Sequence, residues 1–123
     1  MMQLKPKKPR PKGSRNSIST QSPLAVRHGY FQAKDGTQLF YSVEGHGPPL
    51  VFCYGLVCSS LHWTYQIEHF SKNYQTIWFD YRGHQNSETP KDFNSLKVDI
   101  LADDLNRLLE ELKIPKAVFL GHS

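Results

Sequence analysis

The stretch Ala117-Val118-Phe119-Leu120-Gly121-His122-Ser123 joins a run of four apolar residues to a glycine and a serine. A continuous apolar run is typical of a strand that helices cover on both faces. A serine placed two residues after a glycine at the end of such a strand matches the first half of a G-x-S-x-G turn. In that turn, small residues let a nucleophilic hydroxyl stand clear of the sheet. The stretch therefore predicts a sharp turn with Ser123 at its tip.

Two earlier apolar runs, at residues 50–54 and 76–79, repeat the buried-strand pattern. Three such strands predict a parallel sheet. The segment 60–70 between the first two runs has a loose helical pattern. A helix there would carry the chain back across the sheet, and right-handed crossovers of this kind gather the functional loops at the carboxyl ends of the strands.

A clearer helix is predicted before the last strand. Apolar residues recur there at intervals of three and four: Val98, Leu101, Leu105, Leu108 and Leu112. Polar residues fill the other faces: Asp103, Asp104, Asn106, Arg107, Glu110 and Glu111. This spacing predicts an amphipathic helix that packs on the sheet. Ser95 is the predicted N-terminal cap and Pro115 the predicted stop.

A hairpin is predicted ahead of these elements. Tyr30-Phe31 and the segment 39–43 have strand composition, and Asp35-Gly36 between them is a turn signal. Residues 44–49 contain two glycines and two prolines and are predicted to form a loop. An α/β protein with an N-terminal hairpin followed by parallel strands and crossover helices is the predicted fold class.

The positive charge of the chain is concentrated at its start. Residues 1–27 hold seven of the fifteen basic residues and none of the eleven acidic ones. Residues 28–123 have eight basic against eleven acidic residues, a net charge of −3. The body thus has no basic signature for nucleic acid. We interpret residues 1–27 as a disordered basic tail rich in Pro and Ser; an electrostatic arm and a transit peptide are the alternatives.

The cellular location of the protein is predicted from its two cysteines and from the length of its apolar segments. Cys53 lies in an apolar run and Cys58 follows a predicted turn, so neither indicates a disulfide framework or a metal site. No apolar segment is as long as that of a secretory signal peptide or a membrane-spanning helix. We predict a soluble cytoplasmic protein with no cofactor and no metal, and the sequence leaves its oligomeric state open.

Taken in order, these features resemble the N-terminal half of an α/β-hydrolase fold, over residues 28–123. The resemblance rests on the order of elements, the Gly-x-Gly-Pro-Pro loop at 45–49, the segments Asp80-Tyr81-Arg82-Gly83-His84 and Leu101-Ala102-Asp103-Asp104-Leu105, and the final Gly121-His122-Ser123. It implies that Ser123 is the nucleophile and that the backbone N–H of Leu56 is an oxyanion donor. It implies a bracing role for Asp80, Arg82, Gly83 and His84. This chain departs from the family at two positions: the family usually has His where this chain has Tyr54, and Gly where it has Gln85.

The triad order of this family is serine, acid, histidine, so both partners are expected after Ser123. None of the six histidines is therefore assigned as the base: His28, His46, His62, His69, His84 and His122. The implied activity is serine hydrolysis of an ester, lactone or related acyl or carbon–carbon bond in a small molecule. Relatives that open epoxides carry Asp at the position of Ser123. The alternatives are a non-catalytic binding module and a cofactor-free haloperoxidase, and the 123 residues alone are expected to be inactive.

Overall fold

A computed structural model of the protein describes residues 25–123, which form one mixed sheet with helices on both faces. The strands are β1 (Val26–Gln32), β2 (Gln38–Glu44), β3 (Pro49–Cys53), β4 (Gln75–Phe79) and β5 (Val118–Gly121), and the helices are α1 (Thr64–Phe70) and α2 (Val98–Glu111). Short 3-10 helices precede them at Ser60–Trp63 and Phe93–Ser95. Most of the predicted basic tail lies outside the described residues. β1 begins two residues before the predicted domain start at residue 28.

The sheet has the strand order β1-β2-β4-β3-β5. β1 and β2 form the predicted antiparallel hairpin around the Asp35-Gly36 turn, and β2 also pairs antiparallel with β4. β4, β3 and β5 are parallel, as their apolar runs predicted. The order confirms an α/β fold, with the three parallel strands on one side and the hairpin on the other.

The two helices pack on opposite faces of this sheet. Residues alternate between the faces along a strand, and the register places Val51 and Ile77 on one face with Phe52 on the other. Phe52 packs against Trp63, at a ring-centroid distance of 5.1 Å, on the α1 side. The opposite face meets α2, whose Leu108 is fully buried. The fold thus covers the middle of the sheet from both sides.

Three local predictions were wrong. β5 is not buried on both faces, since Val118 and Phe119 are 64% and 50% exposed on a strand at the sheet edge. Val98, the first residue of α2, is also exposed. Ser95 does not cap α2; its hydroxyl donates to the Asp92 carbonyl, and Lys97 stands at the cap position without a side-chain bond. The helix does end before Pro115, as predicted.

Candidate functional site

The carboxyl ends of β3, β4 and β5 meet at one edge of the sheet, and the loops that leave them contact each other. Gly55 follows β3 and lies against Ser123 beyond β5: a Cβ placed on Gly55 would be 3.1 Å from the Ser123 Cβ and 3.4 Å from its Oγ. A side chain at residue 55 would therefore crowd Ser123. The His122 amide donates to the Cys53 carbonyl at 3.2 Å and holds the turn to the end of β3.

Ser123 adopts a left-handed backbone conformation, with φ of +73°. Residues other than glycine rarely adopt this region, and such strain is concentrated at functional turns. The His122 ring stacks on His62 with centroids 4.3 Å apart. Ser123 therefore has an unusual backbone conformation for a residue other than glycine, and the neighbouring histidine packs against another side chain.

The loop after β3 is a β-turn closed by the Cys58 amide, which donates to the Gly55 carbonyl at 3.0 Å. Leu56 and Val57 are its central residues, and both are exposed. The Leu56 amide, predicted as an oxyanion donor, donates to no group among residues 25–123. The next amide, that of Val57, donates to His84 Nε2 at 2.9 Å. Within residues 25–123, the Leu56 amide therefore has no hydrogen-bond acceptor, whereas the Val57 amide has one.

Behind this turn, two tyrosines and an aspartate form a buried polar cluster. The Tyr54 hydroxyl donates to Asp80 Oδ1 at 2.9 Å and accepts from the Tyr81 amide at 3.2 Å. The Tyr81 hydroxyl donates to the Tyr54 carbonyl at 2.6 Å. Burial, followed by the Asp80 charge, raises the pKa of Tyr54, so its hydroxyl keeps the proton that it donates. Where the family usually has His, this chain ties the β3 and β4 loops together through Tyr54.

Replacing Tyr54 by phenylalanine is expected to lower the free energy of unfolding by about 1 to 3 kcal/mol, because the buried Asp80 carboxylate loses a donor. Tyr65→Phe is a matched control, since Tyr65 is 81% exposed. Urea unfolding of both variants measures the difference. An equal effect of the two changes would show that the Tyr54–Asp80 bond does not stabilise the loops.

A buried ion network lies beneath the β4 loop. Arg82 donates from Nε and Nη2 to the two oxygens of Asp104, both at 2.8 Å, and from Nη1 to Asp35 at 2.8 Å. The bond from Arg82, followed by that from the Thr37 hydroxyl, holds the pKa of Asp35 well below its ordinary value. Asp104 was assigned to the solvent side of α2, and this was wrong: it is buried because it meets the guanidinium. Arg82 thereby joins the hairpin turn to α2, which agrees with the bracing role expected for this segment.

An open groove of about 310 Å³ adjoins Ser123 on the α2 face. Its walls are mainly apolar and come from the ends of β3 and β4 and from α2: Cys53, Tyr54, Gly55, Leu56, Phe79, Tyr81, Val98, Leu101, Ala102 and Leu105. Ser123 is the one hydroxyl-bearing aliphatic side chain in this lining. The groove can take an apolar group next to that hydroxyl.

Residues 25–123 were compared with the requirements of a metal site and of a membrane-spanning helix. These residues contain no cluster of three or more His, Cys, Asp or Glu side chains arranged to hold a metal ion. None of the helices described here is long and apolar enough to cross a bilayer. The cytoplasmic location stays a prediction.

The chain belongs to the α/β-hydrolase fold family, whose model matches residues 48–123. It is 32% identical over 102 residues to bifunctional epoxide hydrolase 2 of Rattus norvegicus, a match that spans 82% of this chain and 18% of the relative. It is 35% identical over 94 residues to an epoxide hydrolase of Caballeronia sordidicola, across 76% of this chain and 29% of that protein. The chain thus spans less than a third of the length of these curated relatives.

Solved structures confirm the fold. An epoxide hydrolase from Bacillus megaterium superposes with a TM-score of 0.71 and 29% identity, over 77% of this chain and 33% of the other. An epoxide hydrolase from Vigna radiata gives a TM-score of 0.73 at 23% identity, over 80% and 32%. The second likeness shows the fold alone.

Proposed function

We propose that Ser123 is the nucleophile of an acyl-transferring hydrolase, with the Leu56 amide as one oxyanion donor. The observation that carries this proposal is the contact of Gly55, the first residue of the Gly55–Cys58 turn, with Ser123, which has positive φ. The proposal is also supported by the apolar groove, whose lining includes Gly55, Leu56 and Ser123. Nucleophile, oxyanion donor and pocket are the parts that acyl transfer requires.

In the proposed reaction, Ser123 Oγ attacks the carbonyl carbon of an ester or lactone and gives up its proton to a base. The carbonyl oxygen becomes an oxyanion, which accepts a hydrogen bond from the Leu56 amide. The tetrahedral intermediate then expels the alcohol, which takes a proton, and leaves an acyl-serine that water hydrolyses. The base and its orienting acid are expected after Ser123 in the family order. We therefore propose that the 123 residues alone do not catalyse turnover of a substrate.

The chemistry of serine argues against epoxide opening, although the relatives carry that name. A carboxylate that opens an epoxide forms an ester, which water cleaves to release a diol. A serine hydroxyl that opened an epoxide would form an ether, which water does not cleave under these conditions. Ser123 therefore favours substrates with an acyl group.

The test begins with the transcript, sequenced through and beyond the codon for Ser123. We expect a small residue at the second position after the serine, and an acid and a histidine further on. The encoded product should hydrolyse a p-nitrophenyl ester, be labelled at Ser123 by a fluorophosphonate, and lose both properties in Ser123→Ala. The 123-residue chain should show no turnover above its own Ser123→Ala variant.

Three results would contradict the proposal. The transcript could lack the acid or the histidine, which would favour a non-catalytic binding module. The product could be labelled at another serine. It could also convert styrene oxide to the diol while leaving esters intact, in which case Ser123 would not be the nucleophile.

A further inference from the structure

His84 uses both ring nitrogens to connect the loop after β4 with the turn after β3. The Val57 amide donates to Nε2 at 2.9 Å, and Nδ1 lies 3.1 Å from the Arg82 carbonyl oxygen. A backbone amide only donates and a carbonyl only accepts. Both contacts are hydrogen bonds only when Nδ1 carries the proton and Nε2 is bare. The two contacts together therefore require the tautomer with the proton on Nδ1.

The turn that donates this hydrogen bond has Val57, a residue unfavourable there, at its third position. Val57 has φ of +59°, whereas Leu56 is not among the residues with positive φ. Negative φ at the second residue and positive φ at the third match a type II turn, which favours glycine at the third position. A β-branched residue is a marked outlier there. The Val57 side chain is 92% exposed, so side-chain packing does not hold this conformation.

The two common turn types differ by a flip of their central peptide, which here joins Leu56 to Val57. The flip would return Val57 to negative φ and reverse the direction of its N–H. The bond to His84 Nε2 opposes this flip, since it needs the N–H in its present direction. His84 thus supplies the interaction that keeps Val57 in a conformation that its own side chain disfavours.

His84 is itself held in place from several directions. Its ring packs near the Tyr81 and Tyr54 rings, at centroid distances of 5.5 Å and 6.2 Å. Its amide donates to the Tyr81 carbonyl at 2.9 Å. The Arg82 backbone that accepts from Nδ1 is anchored by the ion network to Asp104 and Asp35. The imidazole is therefore held in a fixed position, with Nε2 accepting from the Val57 amide.

We propose that His84 is a positioning residue that locks the central peptide of the Gly55–Cys58 turn and so fixes the backbone next to the Leu56 amide. The catalytic part of this inference rests on the proposed function. The Leu56 amide belongs to the peptide directly before the locked one, so a flip changes the backbone on one side of the oxyanion donor. Neither nitrogen of His84 takes part in proton transfer.

The first test is nuclear magnetic resonance of the uniformly ¹⁵N-labelled 123-residue chain. We expect a scalar coupling across the hydrogen bond between the Val57 nitrogen and His84 Nε2, with the His84 shifts of the Nδ1–H tautomer. This measurement needs no substitution, so a variant that fails to fold does not affect it. A missing coupling, or the opposite tautomer, overturns the inference whatever the enzyme does.

The second test uses variants of the longer product that the fluorophosphonate labels at Ser123. His84→Phe keeps a planar ring but has no hydrogen-bond acceptor. We expect kcat for the p-nitrophenyl ester to fall by about tenfold or more, with KM changed by no more than about twofold. Such a fall is part of the 10²- to 10³-fold effect of losing an oxyanion donor. Adding Val57→Gly to His84→Phe should restore most of kcat, because glycine accepts positive φ without the bond.

These readouts separate the inference from the function on which it rests. An unchanged kcat in His84→Phe, or no rescue by Val57→Gly, contradicts the positioning role even when Ser123 is labelled. If wild-type protein is not labelled at Ser123, the proposed function fails, and the coupling across the Val57–His84 bond still decides whether the turn is locked.

Discussion

Asp104→Asn is expected to lower the free energy of unfolding by about 3 to 5 kcal/mol, the usual cost of breaking a buried ion pair from one side. Asp104 accepts two hydrogen bonds from Arg82, and the side chains of the two residues are 3% and 1% exposed. Asparagine has nearly the same size but no charge, and it presents only one oxygen. The buried guanidinium would then rely on Asp35, whose side chain is half exposed.

Asp103→Asn supplies the matched control, since Asp103 is the preceding residue of the same helix and is exposed. We expect its effect to stay within about 0.5 kcal/mol, as for ordinary surface changes. Urea unfolding followed by far-ultraviolet circular dichroism measures both variants under one set of conditions. Similar losses from the two substitutions would mean that helix propensity, and not the ion network, determines the effect.

Gly45→Ala is the second change with a large expected effect, a loss of about 3 to 5 kcal/mol from positive φ and overpacking combined. Gly45 has φ of +88°, and a Cβ there would lie 2.5 Å from the Tyr74 carbonyl oxygen and closer still to that of Ser71. Both obstacles are backbone atoms, which cannot turn aside as a flexible side chain can. The loop after β2 or the end of α1 would have to move.

Gly36→Ala separates the two causes of that loss. Gly36 has nearly the same φ, +90°, but a Cβ there would meet nothing within 4 Å. We expect it to cost about 1 to 2 kcal/mol, the backbone contribution alone. Thermal unfolding of the pair gives the difference that is due to the clash. If both variants lost the same stability, the contact between Gly45 and the Ser71 carbonyl would have no energetic weight.

The fold could be predicted from the sequence where a pattern is local. The Asp35-Gly36 turn signal predicted the hairpin, and the apolar runs predicted that β3, β4 and β5 are parallel. The exposure of β5 among residues 25–123 was not predicted, because an apolar run reports what a strand prefers and not which neighbours cover it. Its exposed Val118 and Phe119 are the result.

The site could be predicted in part. The spacing around Ser123 predicted a turn after the last strand, and in the structure Ser123 follows β5 and lies against Gly55. The partners of polar groups were harder to predict, because they depend on contacts between distant segments. Asp104 was assigned to solvent from helical periodicity, and the Val57–His84 bond joins residues 27 positions apart. The unusual Val57 conformation has no sequence signal, since valine there favours a different backbone.

The strand order also has a consequence for a chain that is still being synthesised. β4 lies between β2 and β3 in the sheet but follows both in sequence. A ribosome therefore releases the hairpin and β3 before the strand that joins them exists. Until Gln75–Phe79 emerges, Leu50, Val51 and Phe52 have no sheet to enter, and exposed apolar segments of this kind are the ones that chaperones bind and that aggregate when they are not bound. The nascent protein is most vulnerable in that interval, before the middle strand closes the sheet.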